Sequence, residues 1–588
     1  MKKEVKFSLV YRDMWQSSGK YVPRKDQLEQ IAPLIIEMGC FDRVETNGGA
    51  AEQVNLLYGE NPNPSVRAFT AALHKGGIEC HMLDRALNAL RMNPVPADVR
   101  QLMYKVKKAQ GVDITRIFCG LNDVRNIIPS IHWANEAGMI SQAAMSITYS
   151  QVHTAEYYMN IADQLIEAGA KEIALKDMAG VGRPVSLGRI VEHIKKQHPE
   201  IKVQYHGHTT PGLSMASMLE VCKAGCDYVD VAMEPLSWGT VHPDVISVQA
   251  MLKDAGFLVK DIDMKTYMAA RSMTQSFMDD FLGYWIDPRN RYINSLLLGC
   301  GLPGGMMGSL MADLKPVHAA INMNRKKDGL PEISEDEMLV ELFQEVQNIW
   351  PKLGNPPLVT PFSQYTKNIA LMNLFALSKG EPRYETSIDP AAWDMILGKA
   401  GKLPGTLAPE IVELAKKKGF KFFTGNPQDN YPNALPHFIE EMKKEGWDRG
   451  QDDEELFEFA MHEKQYREYK SGEAKRRFNQ ELEAKMKAKF EKAGGEAKLP
   501  DLRALRHPNA EPVSAPVSGI VMWEVDFDDK SIAPALGKVY KEGDLLCAIN
   551  SEHGMEPVYA LWPGKIVEAT ADQGKRVSKG ETIAFIEK

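Results

Sequence analysis

The sequence predicts an α/β fold: a (β/α)8 TIM barrel, followed by a mostly helical domain and a small all-β sandwich. Three observations carry that expectation. A unit of short apolar strand, turn and amphipathic helix recurs eight times before residue 260. Strand signals then become sparse while helical periodicity persists to about residue 440. The last stretch, 511–588, contains an internal repeat of short β runs separated by Gly and Lys-Gly turns.

The eight expected strands are VKFSLVYRD, FDRVETNGG, IECHMLDR, ITRIFCGL, AAMSITYS, EIALKDMAG, KVQYHGH and YVDVAMEPLS. Between them lie amphipathic patterns such as KDQLEQIAPLIIEM and AEYYMNIADQLIEAG, so the strands are parallel with helices outside. Eight such units within 1–260 point to a closed barrel. In the helical domain, 261–440, Ser334 and Glu337 form a capping box at the start of one helix. Residues 441–510 read as a charged helical segment, solvated and ending at Gly494, then a proline-containing linker. In 511–588, APVSGIV and GKVYKEGDLLCAIN are echoed by ALWPGKIV and GKRVSKGETIAFIE. The halves meet at a hairpin around SEHGMEP, and the first half carries an excursion, EVDFDDKSIAPALG.

At 588 residues the chain exceeds one hydrophobic core, and its 44% hydrophobic and 25% charged fractions are those of a globular protein. A formal charge of −8, with bases and acids intermixed, supplies no basic footprint for nucleic acid. Seven scattered cysteines form neither a disulfide framework nor a CxxC zinc site; Cys222 and Cys226 read as small core residues near a helix end. The opening MKKEVKFSLVYRD passes directly into a strand without an apolar leader, which makes a cytoplasmic address the expectation.

Barrel enzymes work at the C-terminal ends of their strands, where four residues stand out. Asp13 ends the first expected strand, Lys176 the sixth, and His206 and His208 the seventh. In an H-x-H the period-two alternation turns both imidazoles to one side, aiming two nitrogens at one point. With the Asp13 carboxylate they suit zinc, manganese or cobalt better than calcium. A deprotonated lysine near a metal can take up carbon dioxide as an anionic carbamate. The alternatives are a hydrogen-bonded pair of barrel histidines and a Lys176 that only pairs with an acid.

The blocks LVYRDMWQS, IALKDMAG, YHGHTT, LPGGMM and GNPPLVTPFSQ occur in this order over the first 365 residues. Together they resemble the carboxyltransferase family of pyruvate carboxylase, transcarboxylase and oxaloacetate decarboxylase. The terminal repeat is similar to the biotinyl/lipoyl-like domain that decarboxylase α subunits carry. This resemblance implies a divalent metal held by Asp13, His206, His208 and a carbamylated Lys176, with Gln16 and Arg12 beside the substrate. It also implies that Arg85, in MLDRALN, binds a 2-oxo acid carboxylate and that Thr240, in WGTVHP, relays a proton. The activity implied is carboxyl transfer between biotin and pyruvate or oxaloacetate through an enolate. The family further implies a homodimer, with possible attachment to a membrane decarboxylase complex.

The chain departs from the family pattern at four places. Cys119 replaces an aspartate in RIFCGLND, Asn47 begins NGGA, the block of Arg85 ends in ALRMNP rather than the family's aromatic-containing sequence, and Gly554 in SEHGM takes the place of the biotin-accepting lysine. Glycine has no amine with which to form the biotinyl amide, so biotin is expected in trans, on a separate carrier protein beside other carboxylase or decarboxylase subunits. Two alternatives remain: a biotin-independent metal-dependent lyase or aldolase, and a non-catalytic scaffold.

Overall fold

The computed structural model describes residues 3–302, 307–384, 388–492, 510–523, 525–527, 530–532, 538–551, 554–571 and 573–587. Most of LPGGMM, Gly494, most of the linker, part of the EVDFDDKSIAPALG excursion, and Glu552 and His553 of the hairpin tip lie outside them.

The strands β1 (Lys6–Leu9), β2 (Phe41–Gly48), β3 (Glu79–Asp84), β4 (Ile114–Phe118), β5 (Ile140–Ser146), β6 (Glu172–Asp177), β7 (Lys202–Gly207) and β8 (Tyr228–Val231) form a closed barrel in sequence order. β1 pairs in parallel with both β2 and β8, which closes the cylinder. Helices return the chain between strands, several of them started by side-chain caps. Asn61 accepts from the Asn63 amide, and Thr154 from that of Tyr157. The β6–β7 register sets Lys176 opposite His206, so both side chains belong to one level of the barrel.

The barrel interior below that level is polar. The Arg43 guanidinium, fully buried, grips Glu172 at 2.8 Å through two nitrogens and also reaches Gln204 and Glu79. Gln142 donates to Glu172 and Gln204. Such buried charges are tolerable because each is paired and hydrogen-bonded.

The helical region includes Met264–Asp280 and extends through Leu435–Glu445, and the expected box at Ser334 and Glu337 caps Glu335–Ile349. It closes part of the barrel mouth. Val359, fully buried, packs with Leu83, Phe118, Ala144 and Ala174. Barrel and helices form one compact unit through Asn479. The expected solvated segment is therefore corrected over its first half. In the helix Glu454–Met461 the residues Leu456, Phe457 and Phe459 are buried, and Phe478 packs among Tyr21, Tyr58, Phe281 and Trp285. Its charges obscured this in the sequence because they pair across the interface, as Arg67 does with Asp452 and Glu454.

The second unit, Gln480–Lys588, contains two four-stranded sheets around a core that includes Val521, Trp523, Leu546, Ile549, Ile566 and Ile586. Among the described residues no helix is long and apolar enough to cross a membrane.

Candidate metal centre

β1 stops at Leu9, and Asp13 lies in the first turn of the helix Tyr11–Ser18 rather than in the strand. The Met14 amide already bonds the Val10 carbonyl, so helix begins one residue after the strand. The sequence reading placed the carboxylate at the right end of the barrel on the wrong element.

Asp13, His206, His208 and His242 gather at this end, all buried, with one ligand atom from each within 4.8 Å of the others. The Asp13 Oδ2 lies 3.3 Å from His208 Nε2, 3.2 Å from His242 Nε2 and 4.0 Å from His206 Nε2. Two of the imidazoles are anchored from behind. His206 Nδ1 meets Asp230 Oδ2 at 2.6 Å, and Arg116 holds that carboxylate at 2.5 Å. His208 Nδ1 meets the Thr240 carbonyl at 2.7 Å. An Nδ1–H donated to an oxygen leaves the Nε2 lone pair facing inward, the arrangement that orients histidine ligands.

The electrostatics agree with a cation site. Burial opposes ionisation of Asp13, but Arg12 and the imidazoles override it and hold its carboxyl well below the usual range. Burial pushes His208 down to about 3 and His206 well below its ordinary value, with the neighbouring His242 acting in the same direction, so both stay neutral near pH 7. A carboxylate and neutral imidazoles are the donor set that zinc, manganese or cobalt takes.

Lys176 is buried, and burial lowers its ammonium to about 8. Its Nζ lies 4.9 Å from the Phe118 ring centroid.

The other expected residues form a rim. Arg12 donates to Gln16 at 2.7 Å and Glu45 at 2.6 Å and lies 3.1 Å from Asp13. Gly49 makes room for this group: its φ is +62°, and a Cβ there would stand 2.9 Å from Arg12 Nη1. Arg85 donates to the Gly49 carbonyl at 2.6 Å, and no carboxylate among the described residues lies within ion-pair distance of it. Burial, with Arg12 nearby, pushes this unpaired guanidinium down to about 10. The Thr240 hydroxyl donates to the Ser17 carbonyl at 2.6 Å and lies 3.2 Å from that of Asn290, so its proton is committed to the main chain.

The departures also have positions. Cys119 accepts from Asn126 Nδ2 at 3.3 Å, and burial raises its thiol. Asn47 donates to Glu52 at 3.0 Å. Gly554 has φ +112° and open space where a Cβ would go. Sequence reasoning missed His242, Asp230 and Arg116. His242 sits two residues after Thr240 in WGTVHP, where a loop histidine gives no periodic signal; Asp230 and Arg116 lie inside strands that read only as apolar.

Residues 106–273 match the family described as HMGL-like, and 299–501 the one described as Conserved carboxylase domain. The chain is 27% identical over 581 residues to a pyruvate carboxylase subunit of Methanocaldococcus jannaschii, spanning 98% of this chain and 92% of the relative. It is 27% identical over 610 residues to the 2-oxoglutarate carboxylase large subunit of Hydrogenobacter thermophilus, 98% of this chain and 88% of that one. To the methylmalonyl-CoA carboxyltransferase 5S subunit of Propionibacterium freudenreichii it is 28% identical, covering 77% and 84%. The carboxyl transferase domain of Rhizobium etli pyruvate carboxylase, solved with pyruvate, superposes with a TM-score of 0.69 at 22% identity, over 81% of this chain and 78% of that one. The chain thus carries an HMGL-like region followed by a conserved carboxylase domain, and it is similar nearly end to end to subunits of pyruvate carboxylase and 2-oxoglutarate carboxylase.

Proposed function

We propose that the chain is a carboxyltransferase subunit that moves a carboxyl group between biotin on a separate carrier protein and a 2-oxo acid of the pyruvate or oxaloacetate type. The observation that carries this reading is the anchored set of Asp13, His206 and His208 beside an Arg85 with no carboxylate partner. An unpaired, half-buried guanidinium suits a substrate carboxylate, which it can bind bidentately. A divalent metal, when bound, supplies Lewis-acid stabilisation to the enolate oxygen formed during transfer.

The chain's own residues do the rest. Asp13, His206 and His208 hold the cation, and Asp230 and the Thr240 carbonyl hold the two rings in their ligating tautomers. Arg12, fixed by Glu45 and Gln16, places a positive charge at the edge of the site where negative charge develops. Val359, with the segment around it, helps to keep the mouth dry. The hydrogen bonds of Thr240 favour a bracing role over the proton relay expected from the resemblance. The fourth metal position has two claimants, a carbamate built on Lys176 and the His242 imidazole.

Gly554 supports delivery of biotin in trans, since the terminal sandwich keeps its core and has no amine at this position. Other carboxylase subunits, a homodimer and a cytoplasmic address belong to the same reading. The HMGL-like match favours one competitor, a biotin-independent lyase on the same barrel. Oxaloacetate decarboxylation measured with and without a biotinylated carrier separates them. The carboxyltransferase reading expects a rate that rises with carrier; a carrier-independent rate would support the lyase.

A further inference from the structure

We infer that His74, Cys80 and Asp113 form a second metal site, at the end of the barrel opposite the mouth, which takes zinc as a structural staple with water in the fourth position. The inference is independent of the reaction proposed above, since it concerns the other end of the barrel.

The first ground is the donor set. Each of the three side chains brings one donor atom within 4.8 Å of the others. His74 Nε2 lies 2.8 Å from Asp113 Oδ2. Metal–ligand bonds of about 2.0–2.3 Å in a tetrahedron set donors roughly 3.3–3.6 Å apart, so an ion parts the imidazole from the carboxylate and draws the sulfur in. Thiolate, imidazole and carboxylate together suit zinc, whereas calcium and magnesium take oxygen ligands.

The second ground is the backbone that gathers them. His74 ends the helix Pro62–His74, Cys80 is the second residue of β3, and Asp113 immediately precedes β4, so all three lie where strands begin. Asp113 is pinned to Cys80 twice. Its amide donates to the Cys80 carbonyl at 2.8 Å, and its Oδ2 accepts from the Cys80 amide at 2.9 Å. Thr70, four residues before His74 and so on the same helix face, donates its hydroxyl to the Gln110 carbonyl at 2.6 Å. Gly111 permits that approach: its φ is +90°, and a Cβ there would stand 2.8 Å from the Thr70 hydroxyl. The end of the helix and the turn before β4 are thus clamped around the cysteine.

The third ground is access and charge. Cys80 is fully buried, while the side chains of His74 and Asp113 keep 40% and 28% of their exposure, which gives an ion a path from solvent and a water in its fourth position. Burial and then the Asp113 charge push the Cys80 thiol up. A dication between sulfur and carboxylate turns that repulsion into attraction. Binding forms the zinc–sulfur bond and releases the thiol proton to solvent, one proton per ion. Lys108 Nζ stands 3.8 Å from Oδ1, the other Asp113 oxygen, with 40% of its side chain exposed, and yields to the ion by swinging outward. The ion then ties a barrel helix to the starts of two strands, at the end of the barrel that serves stability.

The test uses the full chain, stripped of metal and titrated with cobalt(II), for the wild type, Cys80→Ser and His74→Ala, with circular dichroism as the control for folding. The donors proposed at the mouth are oxygen and nitrogen, so a thiolate-to-cobalt charge-transfer band in the near ultraviolet reports the second site alone. The inference expects the wild type to show that band, to bind one cobalt more than Cys80→Ser, and to lose the band when zinc is added. Cys80→Ser should show none. His74→Ala should lose more affinity than the roughly 10–100-fold that removing an outer hydrogen-bond partner costs. Zinc should also raise the melting temperature of the wild type further than that of His74→Ala. No band in the wild type with cobalt in large excess, a band that survives in Cys80→Ser or resists zinc, or a His74→Ala variant with unaltered affinity or an equal rise in melting temperature would each overturn the inference. The first of these requires no variant to fold, and His74 and Asp113 would then be an ion pair beside an inert thiol.

Discussion

The mouth of the barrel and the tip of the terminal sandwich have kept opposite things. At the mouth the reactive groups are present and braced: Asp13 against Arg12, His206 against Asp230, His208 against the Thr240 carbonyl. In the sandwich the described residues form an apolar core, while Gly554, which the resemblance sets where a biotinyl lysine would stand, has no side chain. Scaffold and chemistry are thus maintained independently in one chain, and a fold that survives does not imply the function it usually hosts.

The contrast can be broken most severely at Asp13. Asp13→Ala removes the carboxylate that the imidazoles and Arg12 share, and a loss of at least about 10²–10³-fold in kcat is expected, together with loss of metal by elemental analysis. Asp230→Asn tests the bracing itself. His206 loses its charged anchor, and metal affinity should fall about 10–100-fold while Asp13 and the rings remain. Arg85→Ala removes the proposed carboxylate clamp. A charge-assisted bond of about 1.5–3 kcal/mol corresponds to roughly 10–100-fold in the KM for a 2-oxo acid, with metal content unchanged.

A subtler probe lies where the C-terminal helices meet the barrel. Glu458 and Glu52 share Lys107 at 3.4 and 3.3 Å, and burial pushes the Glu458 carboxyl up to about 8. The folded state therefore binds the extra proton, so this group's contribution is complete below its ordinary 4.5 and is lost as pH rises through about 8. Melting temperatures at pH 6 and 8.5 should show the wild type losing a few degrees that Glu458→Gln, an isostere of the protonated acid, keeps. The smallest effect is expected at Thr240. Thr240→Val leaves the carbonyl that holds His208, so metal affinity should stay unchanged and kcat should fall only a few-fold. A collapse in kcat with metal retained would restore the proton-relay role.

Much of this was legible in the sequence because it followed local rules. Strand–helix alternation gave the barrel, and period two turned His206 and His208 to one side, with His206 level with Lys176. The capping box at Ser334 and the duplicated β runs fixed two further elements. What escaped depends on contacts remote in sequence. His242 joins the site because its loop folds back onto the segment after β7, and Asp230 and Arg116 meet across the barrel. The helix Glu454–Met461 looked solvated because acids flank its apolar residues, and their partners lie nearly 400 residues earlier at Asn61, Asn63 and Arg67.

The central claim is that this barrel exchanges a carboxyl group with biotin borne by another protein. The most direct test incubates the metal-loaded chain with oxaloacetate labelled in its 4-carboxyl, the group beta to the ketone, and a biotinylated carrier, then separates the two proteins. Acid-labile label on the carrier and none on this chain is the predicted result. Pyruvate released while the carrier stays unlabelled would contradict it.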